Sequence, residues 1–86
     1  MAEFVLSGQF LQELAEFEKS ASQRDLKNLE ETLANIIQNP YLSGRMPSFY
    51  DPSVPSYLFR SANILLHYRI SGPKEVEFLN LFWSKI

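Results

Sequence analysis

Near neutral pH the side chain best suited to moving a proton is histidine, and this chain holds one, His67, with no cysteine at all. The lack of cysteine removes thiol nucleophiles, thiolate zinc sites and disulfide staples. A single histidine cannot build a multi-histidine metal centre, and the helical carboxylates are not arranged to hold a cation, so no metal is expected. A serine triad would need His67 together with Ser61, Ser71 or Ser84, yet no strand-turn-helix elbow presents any of these serines sharply. The three glycines, Gly8, Gly44 and Gly72, stand far apart at element boundaries. No Gly-rich phosphate loop exists, and no nucleotide cofactor is expected. What remains is His67 as a general acid or base, with Arg45, Arg60 or Arg69 stabilising a phosphate-like transition state. Such a set suits metal-free RNA cleavage, in which the ribose 2′-hydroxyl attacks the adjacent phosphate. The competing reading is a half-buried, hydrogen-bonded strand histidine that does no chemistry.

The elements that must position these groups belong to a chain of 86 residues, 45% hydrophobic and 14% aromatic, a composition that reads as one globular domain over residues 1–86. The formal net charge is -2, so no overall field attracts nucleic acid. Acids gather in the first half (Glu3, Glu13, Glu16, Glu18, Asp25, Glu30, Glu31), whereas Arg45, Arg60, Arg69, Lys74 and Lys85 lie in the second. That split reads either as a basic face on the second half or as scattered solvated charge. Residues 1–6 lack the basic region and long apolar run of a signal peptide, and no stretch approaches the roughly 20 apolar residues that cross a bilayer. A soluble, cytoplasmic protein with no membrane partner is the expectation.

Residues 3–7 favour a short strand, with Phe4 and Leu6 pointing one way and Val5 the other. Ser7 is suited to start a helix, and Phe10, Leu11, Leu14 and Phe17 recur at helical spacing. Ser22 and Asp25 resemble a capping box, after which Leu26, Leu29, Leu33, Ile36 and Ile37 form a second apolar stripe that Asn39-Pro40 ends. So short a join makes the two helices an antiparallel hairpin. Residues 41–55, with Gly44, Pro47, Pro52 and Pro55, read as an ordered crossing loop. Residues 57–61 and 63–70 read as strands around a tight turn near Ala62-Asn63, with Asn63 the residue tolerant of positive φ, and residues 75–83 as the last strand. Alternation predicts that Ile64, Leu66, Tyr68 and Ile70 face the helices, with Leu65, His67 and Arg69 on the opposite, partly open face.

Several local signatures, in this order, resemble the bacterial RelE/ParE toxin superfamily of type II toxin–antitoxin pairs. They are Phe4-Val5-Leu6-Ser7 leading into Phe10 and Leu14, and Ile37-Gln38-Asn39-Pro40 followed by Gly44. Then come Leu58-Phe59-Arg60 with Ile64-Leu65-Leu66-His67-Tyr68-Arg69-Ile70, and Val76-Glu77-Phe78-Leu79-Asn80-Leu81. The fold expected is α+β: a short N-terminal strand, an antiparallel helical hairpin, then a three-stranded antiparallel meander. The resemblance implies that the first strand joins the C-terminal strands and that a concave face opposite the helices meets the target. It implies a cognate antitoxin as partner, and as target either the ribosome and messenger RNA, cut as by an endoribonuclease (an mRNA interferase that represses translation), or DNA gyrase.

Residue by residue, the nuclease reading assigns proton transfer to His67 and phosphate stabilisation to Arg60 and Arg69, with RNA contacts from Arg45, Tyr57, Trp83 and Lys85. The chain departs from the family pattern at two places. The family often has an arginine three residues before the tyrosine that is Tyr68 here, and this chain has Leu65. The end of the last strand, where nuclease members frequently carry His or Arg and then Tyr, reads Trp83-Ser84-Lys85. An apolar Leu65 on the open face suits a protein partner better than RNA, which favours a non-nuclease protein that acts by binding.

Overall fold

Two serines open the two helices. In the computed structural model, which describes residues 3–48, 53, 55–72 and 75–83, the first strand β1 (Glu3–Leu6) runs into Ser7, whose hydroxyl accepts from the Phe10 amide at 3.0 Å. That cap starts α1 (Gly8–Ser20). Ser22 caps α2 (Gln23–Gln38), and the box with Asp25 is complete: the Ser22 amide donates to Asp25 at 3.0 Å and the Asp25 amide to the Ser22 hydroxyl at 3.1 Å. These bonds, with one from the Asn63 amide group, hold the Asp25 carboxyl below its ordinary pKa. Neither helix is long and apolar enough to cross a membrane.

The strands that follow are β2 (Met46–Ser48), β3 (Ser56–Ser61), β4 (Ile64–Gly72) and β5 (Glu75–Trp83), and the sheet order is β1-β5-β4-β3-β2. The expected three-stranded antiparallel meander is therefore corrected to a five-stranded mixed sheet. Strand β1 pairs with β5 in parallel, and β2 pairs antiparallel with β3 inside the segment that reads as a crossing loop. Both departures have physical causes. Strand β2 is three residues long with Pro47 at its centre, tolerable only because it is an edge strand with one side unpaired. The direction of β1 is set by the path of the whole intervening chain and by no local pattern.

Alternation in β4 comes out as expected for Ile64, Leu66 and Tyr68, all fully buried against Phe10 and Phe17 of α1 and Leu29 and Ile36 of α2. Strand β5 keeps step with them through a bulge. His67 pairs with Asn80 and Tyr68 with Phe78, so Leu79 is the extra residue, and the phase shift lets Val76, Phe78 and Leu81 all enter the core. The β3–β4 turn places positive φ on Ala62 (53°), not on Asn63, whose side chain instead donates to Asp25 at 3.1 Å.

Because β1 covers only the first residues of β5, the rest of that edge is closed by α1. The Ser7 hydroxyl donates to the Leu79 carbonyl at 3.0 Å, and the Leu81 amide donates to Glu13 Oε1 at 2.9 Å. Covering an exposed strand edge in this way satisfies backbone groups that would otherwise invite another chain.

Candidate functional site

The sheet face turned away from the helices is a grid set by strand register. Its first row is Arg60 on β3, Leu65 on β4 and Phe82 on β5. The second row runs from Met46 on β2 through Leu58 and His67 to Asn80, and the third from Ser48 through Ser56 and Arg69 to Glu77 and then Val5 on β1. Successive rows lie about 7 Å apart, two strand residues. Arg60, His67 and Arg69 therefore share one surface, each in its own row.

Their environments differ sharply. His67 is only 4% exposed. Its Nδ1 lies 2.9 Å from Asn80 Oδ1 and its Nε2 lies 3.2 Å from the Ser56 hydroxyl, itself on a residue 4% exposed. The Asn80 amide nitrogen donates onward to Glu13 Oε1 at 3.3 Å, which fixes Oδ1 as the atom that meets the imidazole. Nδ1 then donates to Asn80, and Nε2 faces the Ser56 hydroxyl, which can donate or accept. Arg69 donates from Nε and Nη2 to Glu77 Oε1 at 2.6 and 2.5 Å, so its charge is matched within the sheet. Arg60 is exposed and makes no ion pair among the described residues.

Arg45 and Tyr57 come together, but away from this surface. Tyr57 pairs with Tyr68 on the helix-side face, with ring centroids 5.8 Å apart. The Arg45 guanidinium lies 5.2 Å from the Tyr57 ring centroid and 5.5 Å from that of Tyr41, and its Nη1 donates to the carbonyls of Tyr41 at 2.6 Å and Leu42 at 3.1 Å. It folds the segment after α2 around itself, a structural task. Trp83 is opposite Ile64 on the helix side and stacks on Phe17 at 4.4 Å, so it does not stand beside His67. Lys85 lies outside the described residues.

The sequence reading did not single out Ser56, Asn80 or Phe82. Phe82 is 42% exposed on the open face, where it is the apolar neighbour of Leu65. The break in apolar alternation between Phe78 and Leu81 is the signal that a bulge turns it outward. Comparison of the chain with family models, with curated proteins and with solved structures finds no match in any of the three.

Proposed function

We propose that this chain acts as a toxin of the RelE/ParE type that works by binding proteins and not by cutting RNA. The observation that carries the reading is the Arg60, Leu65, Phe82 row, an exposed cation beside apolar side chains, next to a histidine enclosed on its own face. Arginine and aromatic side chains together are the usual anchors of protein interfaces. His67 cannot reach a phosphate while Ser56 and Asn80 hold both ring nitrogens, and Arg69 is matched by Glu77. The partners in this reading are a cognate antitoxin and a protein target, for which the resemblance supplies DNA gyrase. A reducing cytoplasm, where both partners reside, suits a sequence without cysteine.

Induced expression should arrest growth with messenger RNA intact, and the purified protein should inhibit gyrase supercoiling. Arg60→Glu and Phe82→Glu should each restore growth at unchanged protein level. Transcripts cut within codons when the protein is added to a translation reaction would sink the binding reading.

One observation favours the ribosome-dependent endoribonuclease as the second reading. The chain from Glu13 through Asn80 to His67 holds the imidazole by Nδ1, the kind of orienting bond that a positioned general acid or base uses. If transcripts are cleaved, His67→Ala should slow cleavage about 10²-fold or more. An unchanged rate would remove His67 from the chemistry.

A further inference from the structure

The two edges of the sheet are protected unequally. Strand β2 is short and carries Pro47, which removes a backbone donor and discourages pairing. Strand β1, at the other edge, has no proline and no lysine, and its side chains are exposed on both faces: Phe4 is 53% exposed toward the helices and Val5 is 45% exposed on the open face. The Ser7 amide donates to the Phe78 carbonyl at 3.0 Å, which fixes the phase of the parallel ladder. Val5 and Ser7 turn their backbone groups toward β5, and Phe4 and Leu6 turn theirs outward.

Beside that edge lies a cleft of about 640 Å³ lined by Phe4, Ala34, Ile37 and Gln38, an apolar slot between β1 and the last turns of α2. On the opposite face Glu3 pairs directly with Glu75, and neither makes an ion pair among the described residues. Two carboxylates directly opposite each other repel. The edge thus offers outward backbone groups at Phe4 and Leu6, an apolar slot on the helix side and, on the open side, two carboxylates without an ion pair among the described residues.

We infer that β1 accepts an extended segment of another protein as a sixth strand, one that alternates apolar with basic residues. Its apolar side chains enter the slot beside Phe4 and Ile37, and its basic side chains lie over Val5 and meet Glu3 and Glu75. Strand addition of this kind draws affinity from main-chain bonds and specificity from alternate side chains. Period two in the partner matches period two in β1. A second copy of this chain fits poorly, because its own Glu3 and Glu75 would bring like charge to the same seam. The inference does not depend on the Arg60, Leu65, Phe82 row.

The probe is a fluorescein-labelled short peptide alternating lysine with isoleucine, against the same peptide with glutamate in place of lysine. Anisotropy should show saturable binding of the lysine peptide alone, and amide exchange at Phe4 and Leu6 should slow in its presence. Ala34→Trp, which fills the slot from an exposed helix position, should abolish binding with the circular dichroism spectrum unchanged. Glu3→Lys should weaken binding about tenfold, while Glu30→Lys on the exposed face of α2 should not alter it. No saturable binding, equal binding of the glutamate peptide, or indifference to Ala34→Trp and Glu3→Lys would overturn the inference. A dimer that protects the same two amides without peptide would also overturn it, by showing that a second copy takes the edge.

Discussion

Strand β4 serves both faces of the sheet, and the two faces bury their residues by different physics. On the helix side Ile64, Leu66 and Tyr68 are removed from water by shape, packed with Phe10, Phe78 and Ile36. On the other side His67 is nearly as buried, yet its ring is hydrogen-bonded to Ser56 and Asn80, while its neighbours Leu65 and Arg69 are only partly covered. The first face can tolerate no lost volume, since packed cores collapse only partially around a cavity. The second can tolerate lost volume but not a lost polar partner, since an unpaired buried polar group keeps its full desolvation cost. Surface left over from the second arrangement, the row of Arg60, Leu65 and Phe82, is what remains free for a partner.

The largest expected difference comes from cutting the same residue type on each face. Phe78→Ala should cost about 3–5 kcal/mol of unfolding free energy in urea titration, as for other core phenylalanines. Phe82→Ala, four residues on and 42% exposed, should cost well under half of that. Equal costs would mean that the open face is packed like the core. Next in size, His67→Leu keeps the volume and strands the Ser56 hydroxyl and Asn80 amide. It should cost about 1–3 kcal/mol, and a neutral result would show that the histidine is held by packing alone.

Tyr68 sharpens the comparison from the core side, because among the described residues it is the one fully buried core residue with a polar tip that is bonded. Its hydroxyl donates to the Pro40 carbonyl at 2.6 Å, and burial pushes its pKa up to about 12 from an ordinary value of 10.0. The folded state thus keeps a proton that the unfolded chain releases. Its contribution is complete below pH 10.0 and is lost as pH rises through about 12. Tyr68→Phe should cost about 1 kcal/mol at neutral pH and remove part of the alkaline loss. An unchanged alkaline profile in that variant would assign the loss to other groups.

How much of this was legible beforehand follows from the range of the interactions. Capping at Ser7 and at Ser22 with Asp25, the helical stripes apart from Leu11, which is 49% exposed, and the burial of Ile64, Leu66 and Tyr68 all depend on residues within a few positions of each other, and these read correctly. What failed depended on register between distant strands. Strand β2 has too few residues to show a period, and the parallel course of β1 leaves no local mark. The site divides along the same line. That His67 and Arg69 share a face is local alternation, but the enclosure of His67 needs Ser56 from β3 and Asn80 from β5. Trp83 pairs with Ile64 on the helix side, and Tyr57 pairs with Tyr68 there.

The smallest effect tests whether the Arg69–Glu77 pair belongs to the buried arrangement or to the free surface. The bond is short and double-donor, yet both side chains keep contact with solvent, with 36% and 21% of their side-chain surface exposed. Water screens such a pair, and its net worth is about 0–1 kcal/mol. Glu77→Gln should therefore change stability by no more than about that amount, and added salt should shrink the difference further. What the substitution should change is the charge of the face, since it frees the Arg69 guanidinium beside His67. If that pairing is what keeps the surface from holding phosphate, Glu77→Gln should raise the affinity for a labelled single-stranded RNA in low salt, and Arg69→Ala in the same background should remove the gain. No gain in RNA affinity would show that the enclosed histidine row, and not the neutralised arginine, keeps RNA from this face.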